Sequence, residues 1–415
     1  MSAVTPSDRD TRRPDIDWLR VFATYLLLLF HVGMVFNPAP FYHVRNTDVS
    51  FFFLILCGFI GLWHMPLLFL LAGWSAAASL RSRGVGTFLR ERGSKLAVPL
   101  VAGCILLAPS IKYLELRSGQ DLNHRGLFVT PEVQQRIRSL VPVELPLAEP
   151  FEEDFLTFLP SFFTDPDRFS WSHLWFLAYL LAFTVVLLPV FAAIVRRSTG
   201  TGIPSRAWVY APLAPLVLIQ LTLRERYPGP YNLYADWANV SYFATFLLAG
   251  SALARWPSLE AVVASEWRRA LAVAAAATVL LLGAVLGLVT STPVVLVAAG
   301  VAGWCFVVAW LGAAQRRFAS PSRRLAYLAE SAFPVYVLHQ PVIVLLGVGV
   351  VALPLGAGAK FFLLLGGSVA ATLALYHFLV RPYRLPRFLL GMKPLAGRGR
   401  TRPAHPSGAP ALGRS

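Results

Sequence analysis

Charge is scarce in this chain, and what there is avoids the long apolar runs. Only 14% of the 415 residues are Asp, Glu, Lys or Arg, and 56% are hydrophobic. Soluble domains carry roughly 25% charged residues. With a mean hydropathy of +0.60, most of the chain is expected to lie in a membrane. Cysteine is almost missing. Cys57, Cys104 and Cys305 fall in separate apolar runs, which excludes a disulfide framework and a CxxC-type metal site and leaves them as small buried apolar side chains. No Gly-rich phosphate loop, GxSxG elbow or HExxH motif occurs, so the common nucleotide-binding, hydrolase-elbow and zinc-helix signatures are all absent. Carboxylates are nearly absent from the apolar runs, which speaks against a metal enzyme and against an ion-driven transporter. The N-terminus lacks a short apolar core followed by a small-residue cleavage site, so the first run is expected to act as an uncleaved anchor.

What the chain does have is helix-length hydrophobicity. Its pattern predicts an all-α polytopic protein with spans near 18–36, 51–80, 96–113, 171–195, 207–223, 238–254, 269–289, 293–314, 332–352 and 360–380. The 51–80 run would be about 45 Å long as a helix, against a hydrocarbon core of roughly 30 Å, so it reads as one long helix bent near Pro66. Residues 1–17 read as a cytoplasmic segment and 18–390 as the ten-helix domain. Residues 391–415 read as a disordered basic tail. The formal net charge of +16 invites a nucleic-acid reading, but the cations stand in short clusters between runs, which is a topology signal instead. Twenty-seven of the 37 Lys and Arg fall on the side of the N-terminus, so both termini are expected in the cytoplasm. The interval 114–170, with five Lys/Arg and ten Asp/Glu, is then an extracytoplasmic loop.

The stretch Asp15 to Phe36 carries the clearest chemistry. Arg20 and His31 are eleven residues apart, which returns to within about 20° of one helix face and about 16 Å further along it. With Thr24, Leu27 and Leu28 on the same stripe, this predicts a polar shaft running into the bilayer. Three more histidines sit in or at the edge of runs: His64 in LWHMP, His173 in WSHLW and His339 in VLHQP. Helical rise places His31, His64 and His339 about 12–24 Å from the basic end, which allows a shared cavity. Each has a plainer reading. His64 and His339 lie within two residues of a proline and can bond a freed carbonyl of a neighbouring helix. His173, between Trp171 and Trp175, can be an interfacial anchor. Arg20 can be a topology anchor, and His377, one turn before Arg381, a snorkelling end residue.

The segments IDWLR…LLFH, WHMPLLFLLAG, FLRERGSKLAVPL, HLWFLAYLL and SAFPVYVLHQPVI, in that order, resemble the acyltransferase-3 family of integral-membrane acyltransferases. The closing HFLVRPYRLPRFLLGMK is similar to the branch containing glucan biosynthesis protein C; Val380-Arg381-Pro382 stands where other members often have a Glu-Arg/Lys-Pro ending. The resemblance implies O-acyl transfer, acetyl or succinyl, from cytoplasmic acyl-CoA to an extracytoplasmic glycan hydroxyl, in the cell inner membrane. No bound cofactor or metal is implied. It maps the family's Arg-x10-His motif onto Arg20 at the donor and His31 as the catalytic residue. His64, His173, Trp175 and His339 are left as candidates for the active site or acceptor binding. The chemistry agrees: a histidine can take the proton of a weakly nucleophilic sugar hydroxyl, and a guanidinium fork can hold CoA phosphates. A rival enzyme mechanism has His31 accept the acyl group covalently before passing it on; the rival of another class is a glycolipid or small-molecule transporter or flippase that uses the same shaft without chemistry.

Overall fold

In hydrocarbon an isolated segment satisfies its backbone hydrogen bonds only as a helix. The computed structural model describes residues 13–39, 42–120, 122, 151–197, 205–227, 231–318 and 320–395, and among these it contains helices and no strand. Among the described residues eight helices are long and apolar enough to cross a bilayer. They are α1 (Pro14–Val35), α2 (Phe51–Arg83) and the run of α3 (Val85–Leu106) with α4 (Ala108–Arg117). Then come α10 (Trp237–Arg255), α11 (Pro257–Val285), α12 (Thr292–Arg317) and α13 (Arg323–Val351). Last is α14 (Ala357–Ala374), prolonged by a π turn to Val380.

All ten apolar runs are helical, but two are not simple spans. The run at 171–195 is a 3-10 turn, Ser172–Leu174, then α6 (Trp175–Val186) and α7 (Leu188–Arg196), bent by 62°. Pro189, in the first turn of α7, cannot donate across that joint. The run at 207–223 is α8 (Ala207–Tyr210) and α9 (Leu213–Leu223), shorter than a span. By length and apolarity alone, eight helices of the described residues qualify as spans, or nine with the bent pair. The ten-span expectation took every run as long enough to cross. Helix α2 passes through Pro66 without a break. Helices α11 and α13 start well before their apolar runs, because polar residues continue a helix beyond the hydrocarbon.

One helix lies outside the expected set. Helix α5 (Phe155–Thr164) is started by Asp154, whose carboxylate accepts from the amides of Leu156 and Thr157 at 2.9 and 3.1 Å, an N-cap. It belongs to the 114–170 loop. Residues 123–150 of that loop, 1–12 of the N-terminal segment and 396–415 of the tail lie outside the described residues.

Two glycines let α2 and α10 touch backbone to backbone. A Cβ on Gly73 would lie 1.8 Å from the carbonyl oxygen of Leu247, and one on Gly250 2.0 Å from that of Leu70. Small residues at such crossings substitute for a hydrophobic drive that lipid does not supply. Phe69 of α2 stacks on Phe243 of α10 at 4.4 Å, extending the contact. Helix α13 lies along α1, which brings His339 beside His31.

Candidate functional site

A cavity of about 1140 Å3 is enclosed by α1, α2, α4, α9, α10, α12, α13 and the segment 163–176. On α1 its lining residues are Leu27, Phe30, His31 and Met34, one helix face. His31 contributes a buried Nδ1 with no hydrogen-bond partner among the described residues. Its ring lies 5.6 Å from that of Tyr42 and 5.1 Å from that of His339.

His339 is held by its own helix: Nδ1 donates to the carbonyl of Tyr336 at 2.6 Å. That leaves Nε2 buried and unpartnered. His173 lies 5.2 Å from His339, ring to ring. Pro341 sits inside α13, so the carbonyl of Val337, four residues earlier, receives no helical bond. The Nε2 of His173 donates to it at 2.9 Å. The proline does free a carbonyl for a histidine, but for His173 rather than for the adjacent His339. The Nδ1 of His173 is again buried without a partner. These tautomers follow from the partners each ring nitrogen meets. Three imidazoles therefore stand in line, each with an unprotonated or unpartnered nitrogen in the cavity region.

The remaining candidates divide. His64 is buried, lines the cavity, and donates Nε2–H to the carbonyl of Ala23 on α1 at 2.8 Å, the helix-to-helix bond of its plainer reading. Trp175 lines the cavity and lies 4.3 Å from the ring of Tyr231 and 5.6 Å from that of Phe243. Arg20 is elsewhere: it donates to Asp17 at 3.1 Å and to Ser75 at 3.0 Å and is not among the lining residues. The lining on α1 starts at Leu27, so the stripe does not form an open shaft as far as Arg20. Arg92, beneath which Phe88 lies at 5.7 Å, is close enough for its charge to act against that of Arg20. His377 meets the hydroxyl of Tyr327 at 3.2 Å, away from the cavity.

A further pair was not visible in the sequence. His43, in the segment between α1 and α2, donates Nδ1–H to the carboxylate of Glu115 on α4. Glu115 also accepts from Lys112 at 2.6 Å and from the amide of Leu122 at 2.9 Å. Both His43 and Glu115 are buried and both line the cavity. The near-absence of carboxylates from the spans therefore has an exception, because α4 carries the third span through Glu115 to Arg117. The Nε2 of His43 accepts from the amide of Gln340 at 2.5 Å and faces the hydroxyl of Ser172 at 3.4 Å. Composition had assigned Glu115 to the hydrophilic loop; only the continuity of the helix identifies it.

The described end of the 114–170 loop helps to close the cavity, through Phe163, Asp165 and Phe169, with Trp171 directly after it. Among the described residues no three His, Cys, Asp or Glu side chains converge as a metal ligand set. The arrangement suits proton transfer in a largely apolar, enclosed space that opens among aromatic rings.

A family model described as "Acyltransferase domain", that of the acyltransferase-3 family, matches residues 13–377. No curated protein and no solved structure matches the chain.

Proposed function

The chain belongs to the acyltransferase-3 family and is a multi-pass membrane O-acyltransferase; from that premise we propose that it takes an acetyl or succinyl group from acyl-CoA on the cytoplasmic side and delivers it to a hydroxyl of an extracytoplasmic glycan or related carbohydrate. The observation that carries this reading is the unpartnered, buried Nδ1 of His31 in the wall of a cavity large enough for a sugar and an acyl arm. The acceptor hydroxyl gives its proton to His31 as its oxygen attacks the thioester carbonyl. A C–O bond forms, the C–S bond breaks, and the proton passes to the leaving thiolate, giving the ester and free CoA. Proton removal by a placed imidazole contributes about 10²–10⁴-fold. His173 and His339 order the cavity beside it, and Trp175 with Tyr231 offers ring faces to a sugar.

Arg20, in this reading, meets the CoA phosphates at the cytoplasmic end of α1, beyond the cavity lining, with Arg92 close by. A guanidinium matches phosphate oxygens as a fork. The cell inner membrane, with both termini in the cytoplasm, is supported by the 27-of-37 bias of Lys and Arg. The test is purified protein in lipid, given acyl-CoA and an oligosaccharide. An acyl-CoA-dependent gain in acceptor mass with matching release of free CoA is expected. Movement of a glycolipid across the bilayer with no change in its mass would replace the enzyme reading by the flippase one.

A further inference from the structure

Arg224, at the C-terminal end of α9, lines the same cavity. Among the described residues it is the one Lys or Arg that does so. Its Nε donates to Gln220 at 2.8 Å and its Nη1 to Asn239 at 2.8 Å. Both partners are neutral amides, and no carboxylate oxygen of the described residues lies within 4.0 Å of it. A guanidinium has five N–H donors in a rigid fork, so most of this fork is uncommitted. Asp236 is close enough for its charge to act with Arg224; its Oδ2 is taken by the hydroxyl of Tyr179 and by Asn239 at 3.2 Å, while its Oδ1 is buried with no hydrogen-bond partner among the described residues and bonds no guanidinium nitrogen. Of the other acids in the lining, Asp165, Asp167 and Glu115, Asp165 is paired with Arg168 and Glu115 with Lys112 and His43.

The wall next to Arg224 is built with strain. Tyr231 and Leu233 have φ of 53° and 67°, a region that bulky residues rarely enter and hold only when their surroundings keep them there. The segment is kept there by Trp171, which donates to the carbonyl of Tyr231 at 3.0 Å, by the Trp175 ring, and by Asn232, which accepts from the amide of Ala235 at 2.9 Å. A cation braced by two amides beside a strained aromatic wall in a cavity is a preorganised anion site.

We propose that Arg224, braced by Gln220 and Asn239, binds a carboxylate carried by a substrate. This rests on the acyltransferase reading of the cavity and names the class of group that the cavity selects. The carboxylate has two sources: the far end of a dicarboxylic acyl group, or an acid group on the acceptor. Arginine holds a carboxylate by two parallel charge-assisted bonds, which a neutral group of the same shape does not form.

The experiment compares kcat/KM in lipid-embedded wild type, Arg224→Gln and Arg224→Lys across two substrate pairs. One is succinyl-CoA against its terminal methyl ester, with a neutral oligosaccharide as acceptor. The other is a uronate-bearing against a neutral oligosaccharide, with acetyl-CoA as donor. In one of the two pairs wild type is expected to favour the carboxylate. Arg224→Gln should lower that preference by about 10- to 100-fold, and Arg224→Lys by less. The pair that responds identifies which substrate bears the group. If Arg224→Gln is not recovered folded, Arg224→Lys carries the same ratio. Wild type without preference in either pair, or variants that slow charged and neutral substrates alike, would overturn the carboxylate site while leaving acyl transfer standing. No transfer from any donor by wild type would instead remove the function on which the site rests.

Discussion

His43 and Glu115 are 72 residues apart in sequence and share a buried hydrogen bond at the wall of the cavity. Glu115 is also the counter-charge of Lys112, whose side chain is 2% exposed. Removing one partner of a buried pair leaves the other uncompensated, at a cost of about 3–5 kcal/mol, whereas removing both is often close to neutral. Glu115→Gln should therefore lower the unfolding temperature in detergent markedly, and Lys112→Met/Glu115→Gln should recover most of the loss. If His43 also needs the carboxylate to fix its tautomer, turnover will stay low in the recovered double variant. Recovery of stability and turnover together would make the pair purely structural.

What the sequence showed and what it hid follow from where each residue lies. His31, His64 and His339 stand inside long apolar runs, where a polar side chain is conspicuous and helical rise gives its depth. Arg20 and His31 share a face by spacing alone, yet the cavity stops at Leu27, because closure depends on how α1 packs against α2 and α13. Glu115 was hidden by its neighbours in sequence: ten acidic residues between 114 and 170 made it look like part of a solvated loop. His43 and Arg224 lie at or beyond the ends of apolar runs and acquire meaning only from partners on other helices. The ten apolar runs all proved helical, but run length could not show that 171–195 bends at Leu187 or that 207–223 is divided into two short helices.

The crossing of α2 and α10 makes a stability prediction. A methyl on Gly73 would meet the backbone of Leu247, which cannot turn aside as a flexible side chain can. Gly73→Ala should destabilise by about 1–3 kcal/mol or more, read as earlier thermal aggregation in detergent. Gly366→Ala is the control, since a Cβ there has nothing within 4 Å. Equal melting of the two variants would show that the helices separate at this point.

The distribution of cations makes a topological one. Reporters fused after Arg83, Arg197 and Arg317 should read cytoplasm, and insertions near Glu149 should read outside. An outward signal at any of the first three positions, in a fusion that folds, would break the alternation inferred from 27 of 37 cations lying on one side.

Arg20 separates donor binding from anchoring. It bonds Asp17, at the far end of α1 from the lining of the cavity, and Ser75 on α2. Arg20→Lys keeps the charge and loses the fork, so the apparent KM for acyl-CoA should rise about tenfold with a smaller change in kcat. Unchanged kinetics in well-expressed Arg20→Ala would leave Arg20 as a topology anchor alone.

His31 decides the mechanism. Its neighbours His339 and Tyr42 are held by other parts of the fold, and its own Nδ1 has no hydrogen-bond partner among the described residues. Removing the ring therefore breaks no helix-to-helix bond through that atom, and insertion and folding of His31→Ala should survive. Transfer should not. The proton is taken only in the transition state, so the defect should fall on kcat, by about 10²–10⁴-fold, with little change in KM. Glutamine separates the roles more sharply, because an amide can donate or accept a hydrogen bond but cannot carry the proton. His64 provides the contrast: its Nε2 bonds the carbonyl of Ala23, and His64→Gln should retain much of the activity by restoring that bond. Release of free CoA by the two variants, measured with the same donor and acceptor, is the assay. Near wild-type turnover in His31→Gln would exclude His31 both as the base and as a covalent acyl carrier. The proton would then have to go to His64 or His339, or to His173 or His43, the other cavity imidazoles.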